Sequence, residues 1–157
     1  MAAPYGATVI VNDRADIARL ADAGGVHVGQ DDLAPDAARV LVGPERIIGF
    51  STHSVAQLDA ALDQPIDYVA IGPVFGTASK DTGYDAIGLT LVEEAARRAR
   101  PRGLEVVAIG GITIERAADV IRAGATSVAV ISDLLATGDP RARVSQYLDR
   151  LAQVSGV

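Results

Sequence analysis

Six short apolar runs, at residues 8–11, 26–29, 46–50, 68–71, 105–109 and 127–131, alternate with longer amphipathic stretches along the whole chain. Each run is rich in β-branched residues and too continuously apolar for a strand with one wet face, so each reads as a strand of parallel sheet buried on both faces. Parallel neighbours need a crossover, and the amphipathic stretches supply it as helices. Ser54 with Gln57, and Thr90 with Glu93, match the capping-box pattern of a helix start, and Thr113 is placed to cap a third helix. Gly24 and Gly124 stand where a left-handed residue closes a helix, and Pro101 stops the one carrying Ala95, Ala96 and Ala99. The result is six βα units, beginning with a strand. The stretch 72–88 is the longest irregular one, and loops of that length usually serve a function.

An α/β chain of this pattern folds as an open doubly wound sheet or as an incomplete (β/α)₈ TIM barrel. A doubly wound sheet gathers its ligands at one switch point, whereas a barrel uses the loops after many strands. Polar or glycine-rich residues follow every run here: Asn12-Asp13, Gln30-Asp31-Asp32, Ser51-Thr52-His53, Gly72-Pro73, Gly110-Gly111 and Ser132-Asp133. That distribution favours the barrel. A length of 157 residues, with 49% apolar and 22% charged, predicts a single partial-barrel domain over 1–157 and excludes disorder. The net charge of −6 argues against nucleic acid as the main partner. The absence of cysteine removes disulfides, a thiol nucleophile and cysteine-held metal. Neither a signal peptide nor an apolar stretch of about 20 residues is visible, so a soluble, cytoplasmic protein away from membranes is expected.

Three groups of residues suggest chemistry. Asp13 and Asp32 follow adjacent strands, with Asn12 beside the first; two carboxylates on one rim suit Mg²⁺, and helix capping is the other reading of the same residues. Gly110-Gly111-Ile112-Thr113 and Val130-Ile131-Ser132 end the last two strands, where barrels often bind phosphate; a tight strand-to-helix turn is the alternative. Lys80, the only lysine in a chain whose other cations are all arginine, lies in Thr77-Ala78-Ser79-Lys80, a segment suited to clamping a phosphoryl group. His27, inside an apolar run, reads as a core histidine bonded to backbone. His53, on the rim, is open to an acid or base role but reads first as structural.

Together these motifs resemble the thiamine phosphate synthase family. The likeness rests on Val11-Asn12-Asp13-Arg14, Gly25-Val26-His27-Val28-Gly29-Gln30-Asp31-Asp32-Leu33, Ser51-Thr52-His53-Ser54, Gly72-Pro73-Val74-Phe75 with Lys80, Ala108-Ile109-Gly110-Gly111-Ile112-Thr113 and Val128-Ala129-Val130-Ile131-Ser132. It implies a (β/α)₈ barrel that joins a pyrimidinylmethyl diphosphate to a thiazole phosphate, releasing pyrophosphate. It further implies Mg²⁺ held by Asp13 and Asp32, and Asn12, Ser51 and Lys80 on the pyrimidine diphosphate, with Lys80 and Ser51 catalytic. Thr77, Ala78, Ser79, Gly111, Ile131 and Ser132 fall to the thiazole phosphate. Family members begin with two further βα units, so the six runs are expected to match strands 3 to 8 of the family barrel. The expected partners are small phosphorylated substrates and, through exposed sheet edges, other copies of the chain. A thiazole tautomerase-like enzyme using His53 and a non-catalytic thiazole phosphate binder are the alternatives.

Overall fold

The computed structural model describes residues 3–76 and 83–155. Strands β1 (Ile10–Asn12), β2 (Gly25–Val28), β3 (Ile47–Thr52), β4 (Tyr68–Ile71), β5 (Glu105–Ile109) and β6 (Ser127–Ala129) alternate with helices α1 (Ala15–Leu20), α2 (Pro35–Val42), α3 (Val55–Ala61), α4 (Gly88–Ala99) and α5 (Ile114–Arg122). Two further helices, α6 (Ser132–Leu135) and α7 (Pro140–Ser155), follow β6. All neighbouring strands pair in parallel, and their spatial order is their sequence order, β1 to β6. The order never reverses, which removes the doubly wound sheet and its switch point. Residues following β1 and residues following β6 line one cleft, so the sheet curls into an arc of a barrel.

The two faces of the arc differ. Val26, Val28, Ile48, Val69, Ile71, Val106 and Ala108 face outward and are at most 2% exposed. They pack against Ala18, Ala38, Leu58, Val92, Ala95, Ala99, Ala117 and Val120 of the helices, where the many alanines let helix backbones approach the sheet closely. At the alternate positions His27, Ser51, Tyr68, Val107 and Ile109 are only half-buried. The expectation of strands buried on both faces therefore holds for the outer face and is corrected for the concave one, which opens on the cleft.

Local signals meet mixed outcomes. Ser54 caps α3, its Oγ accepting from Gln57 N–H at 3.2 Å, while Gln57 Oε1 accepts from His53 N–H at 2.7 Å. Thr90 and Glu93 form no capping box, because α4 starts at Gly88 and places both inside the helix. Thr113 stands at the N-cap of α5 but without a side-chain cap bond. Gly124 closes α5 with φ 105°, as expected, whereas the left-handed residue after α1 is Asp22 rather than Gly24. The first run starts its pairing at Ile10 and the last stops at Ala129, since an edge strand has a neighbour on one side only. Among the described residues no helix is long and apolar enough to cross a membrane.

Candidate active site

A cleft of about 680 Å³ lies across the C-terminal ends of the strands, and the segments following all six strands contribute to its wall. That is where barrel folds place their chemistry, because strand ends converge there while the loops stay free to vary. Asn12, Asp13, Asp32, Ser51, Gly111, Ile131 and Ser132 all line it. Residues far apart in the chain, chosen from strand-end position, thus meet in one place. Thr77, Ala78, Ser79 and Lys80 lie outside the described residues.

On the β1–β2 side, Asp13 adopts the left-handed conformation with φ 65°, and its N–H donates to His27 O at 2.7 Å. Aspartate is one of the few residues that enter this region at modest cost. Arg14, not Asp13, occupies the N-cap of α1, and Ala34, not Asp31 or Asp32, occupies that of α2. The helix-capping reading of the two carboxylates is thereby removed. Asp32 Oδ2 accepts from Gly29 N–H at 2.7 Å, which folds the turn back on itself. Gln30 Nε2 donates to Ser51 O at 2.6 Å and ties this turn to β3.

At the centre, His27 joins two hydroxyls: Nε2 lies 2.8 Å from Ser51 Oγ and Nδ1 lies 2.9 Å from the Tyr68 hydroxyl. A neutral imidazole has one donor and one acceptor nitrogen, and either hydroxyl can take the complementary role. The expectation that His27 is a core residue bonded to backbone is corrected: β2 turns Val26 and Val28 into the core, so its partner face carries His27 toward the cleft. Gly49 makes the contact with Tyr68 possible. A Cβ there would stand 1.9 Å from Tyr68 Cζ, so only glycine lets the phenol cross β3 to reach His27. Burial pushes the Tyr68 hydroxyl above its ordinary pKa, which keeps it a neutral donor and acceptor.

His53 is held differently. Its Nδ1 is 2.6 Å from Gly72 O, and since a carbonyl only accepts, Nδ1 carries the proton. Its ring stacks on Tyr84, with centroids 3.8 Å apart and planes 14° from parallel. Across the cleft the wall is built from residues 109–112 and 129–132. Gly110 and Gly111 both have positive φ, and a Cβ on Gly111 would meet Gly76 O at 2.5 Å. Ile131 beside them is 61% exposed.

His27, Gln30, Tyr68 and Tyr84 are the residues that sequence reasoning missed as parts of this site. Period-two alternation between Val26 and Val28 is the signal that marks His27. No local signal marks Tyr68, whose hydroxyl reaches across β3 to His27. Among the described residues no group of three or more His, Cys, Asp or Glu side chains forms a metal cluster.

A family model described as thiamine monophosphate synthase matches residues 1–134. The chain is 51% identical over 150 residues to the thiamine-phosphate synthase of Koribacter versatilis, covering 96% of this chain and 69% of that relative. It is 47% identical over 148 residues to the thiamine-phosphate synthase of Roseiflexus castenholzii, covering 94% of this chain and 64% of that one. A solved thiamine phosphate pyrophosphorylase from Pyrococcus furiosus superposes with a TM-score of 0.87 at 31% identity, over 97% of this chain and 71% of its own. The chain therefore spans about two thirds of the length of these relatives.

Proposed function

Because the chain belongs to the thiamine monophosphate synthase family, we propose that its cleft joins 4-amino-2-methyl-5-pyrimidinylmethyl diphosphate to 4-methyl-5-(2-phosphooxyethyl)thiazole, giving thiamine phosphate and pyrophosphate. The observation that carries the reading is the meeting of Asn12, Asp13, Asp32 and Ser51 with Gly111, Ile131 and Ser132 in one cleft. The first group suits the diphosphate and the second suits the thiazole phosphate. In this reading the six strands correspond to strands 3 to 8 of the family barrel, and β1 and β6 are the edges at which a closed barrel continues. Those edges also make association with other copies of the chain an expected property. A cytoplasmic location belongs to the same reading.

Asp13 and Asp32 fit Mg²⁺, since both are hard oxygen donors on one rim, neither is the N-cap residue of the helix that follows, and Mg²⁺ keeps several waters rather than demanding a full protein cage. When bound, the ion would neutralise diphosphate charge and so improve the leaving group. The chain's own groups do the rest. Ser51 presents a hydroxyl whose direction His27 fixes, and Asn12 adds an amide; both suit the pyrimidine diphosphate. Lys80 supplies the cation that pairs with the departing oxygens. As the carbon–oxygen bond to pyrophosphate breaks, the electron-rich aminopyrimidine supports the cation left on its methylene carbon. The thiazole nitrogen, held by its phosphate against Gly111 and Ser132, captures that carbon, so proximity replaces a general base. The cleft must exclude water, which would otherwise intercept the cation.

Calorimetry of the purified chain with each substrate, with and without Mg²⁺, tests the reading, together with a pyrophosphate-release assay. Mg²⁺-dependent diphosphate binding and Mg²⁺-independent thiazole phosphate binding are expected. A chain that binds neither compound overturns it.

A further inference from the structure

The glycine-rich half of the cleft is short of internal support. β6 has three residues and one hydrogen-bonded neighbour, and the helix that follows it has four residues. Backbone so loosely held does not keep a binding geometry unless something outside the cleft fixes it. One cluster does so. Asp133, the residue after Ser132, receives both Nε and Nη2 of Arg143, each at 3.0 Å. It also accepts the Tyr147 hydroxyl at 2.6 Å. Three donors converge on two carboxylate oxygens, so each oxygen is engaged.

Arg143 and Asp133 are the least exposed ion pair among the described residues, at 14% and 12%. A pair so withdrawn from water loses solvation that only good hydrogen-bond geometry offsets, so its arrangement resists distortion. Tyr147, 6% exposed, places its hydroxyl 3.5 Å from Ile112 O as well. Ile112 follows Gly111 directly. From a single helix, α7, two side chains therefore hold both exit segments of this half-site: the one carrying Gly111 and the one carrying Ile131 and Ser132. None of the three clustered residues lines the cleft.

We propose that Asp133, Arg143 and Tyr147 are positioning residues that set the Gly111–Ser132 wall and thereby govern affinity for the phosphorylated thiazole without touching it. The inference rests on the function proposed above. It assigns α7, which lies beyond the segment matched by the family model, a part in recognising one of two substrates.

The test uses Tyr147→Phe, which removes one hydroxyl and leaves the ring and the ion pair, and Arg143→Lys, which keeps the charge but loses the two-pronged contact. Affinity for the thiazole phosphate and for the pyrimidine diphosphate with Mg²⁺ is measured by calorimetry, alongside thermal melting. Both variants are expected to weaken thiazole phosphate binding about tenfold, in line with the lower end for outer-shell partners of bound groups, and to leave diphosphate affinity unchanged. Equal weakening of both ligands, or weakening that merely follows loss of melting temperature, reduces the cluster to a fold prop and overturns the proposal. Unchanged thiazole phosphate affinity in both variants, with normal wild-type binding, overturns it too while leaving the proposed function intact. A wild-type chain that does not bind the thiazole phosphate overturns the functional reading, and this inference falls with it.

Discussion

The two halves of the cleft are ordered in opposite ways. Around β1 to β3 the groups facing the cleft are side chains that order one another: Ser51 by His27, His27 by Tyr68, and the Gln30 turn by Ser51 O. Around β5 and β6 the wall is Gly110 and Gly111 with apolar neighbours and Ser132, and its order comes from behind, through Asp133, Arg143 and Tyr147. A network inside a cleft fails locally when one member is removed. A wall held from behind fails when its remote anchor moves, so its weak points lie away from the ligand.

The sharpest break of this contrast is Asp13→Asn, which keeps a residue tolerant of φ 65° and removes only charge. Mg²⁺-dependent diphosphate affinity should fall roughly thirtyfold, equivalent to about 2 kcal/mol for a lost charged contact, with thiazole phosphate affinity unchanged in the same calorimeter. Loss of both affinities together would erase the division into halves. Gly49→Ala comes next. Its Cβ collides with the Tyr68 ring, so Tyr68 must leave His27, and urea unfolding should register about 2 kcal/mol of destabilisation from overpacking. Diphosphate binding should weaken with it while the opposite wall stays competent.

Gly111→Ala reverses the pattern. Positive φ and the nearby Gly76 O both oppose a Cβ, at about 1 to 2 kcal/mol for the backbone conformation alone. Thiazole phosphate affinity should drop and diphosphate affinity should not. Mildest is the pH response of the anchor. Arg143, more than the Tyr147 hydroxyl, holds the Asp133 carboxyl below its ordinary value of 3.8. A group whose folded pKa is lowered stabilises fully above its unfolded value and loses that contribution as pH falls through the folded one. Melting temperature should therefore decline below about pH 4 more steeply in the wild type than in Asp133→Asn. Parallel curves would mean that the pair contributes nothing to acid sensitivity.

Much of this architecture was legible in the residues alone. The six strands fall where apolar, β-branched runs predict them, and all seven strand-end candidates within the described residues reach the cleft. Capping was less legible. Ser54-x-x-Gln57 starts a helix, whereas Thr90-x-x-Glu93, with the same spacing, lies inside one. The pattern is short enough to recur by chance within a helix, and only the chain entering from Pro73 and Val74, which accept bonds from Ile87 and Gly88, sets where α4 begins.

Strand placement and strand-end chemistry are local properties, readable from periodicity and from which residues follow each apolar run, and the sequence by itself determined them. Partnership is not local. Ser51 meets His27, and His27 meets Tyr68, because the register of three parallel strands and the missing Cβ at Gly49 bring side chains 24 and 41 residues apart into contact. Asp133 finds Arg143 and Tyr147 because α7 folds back over α5; the i, i+4 spacing puts the two side chains on one face, but only packing brings that face to Asp133. Those distances were decided by tertiary packing, since hydrogen bonds act over about 3 Å and only the folded sheet determines which groups come within that reach.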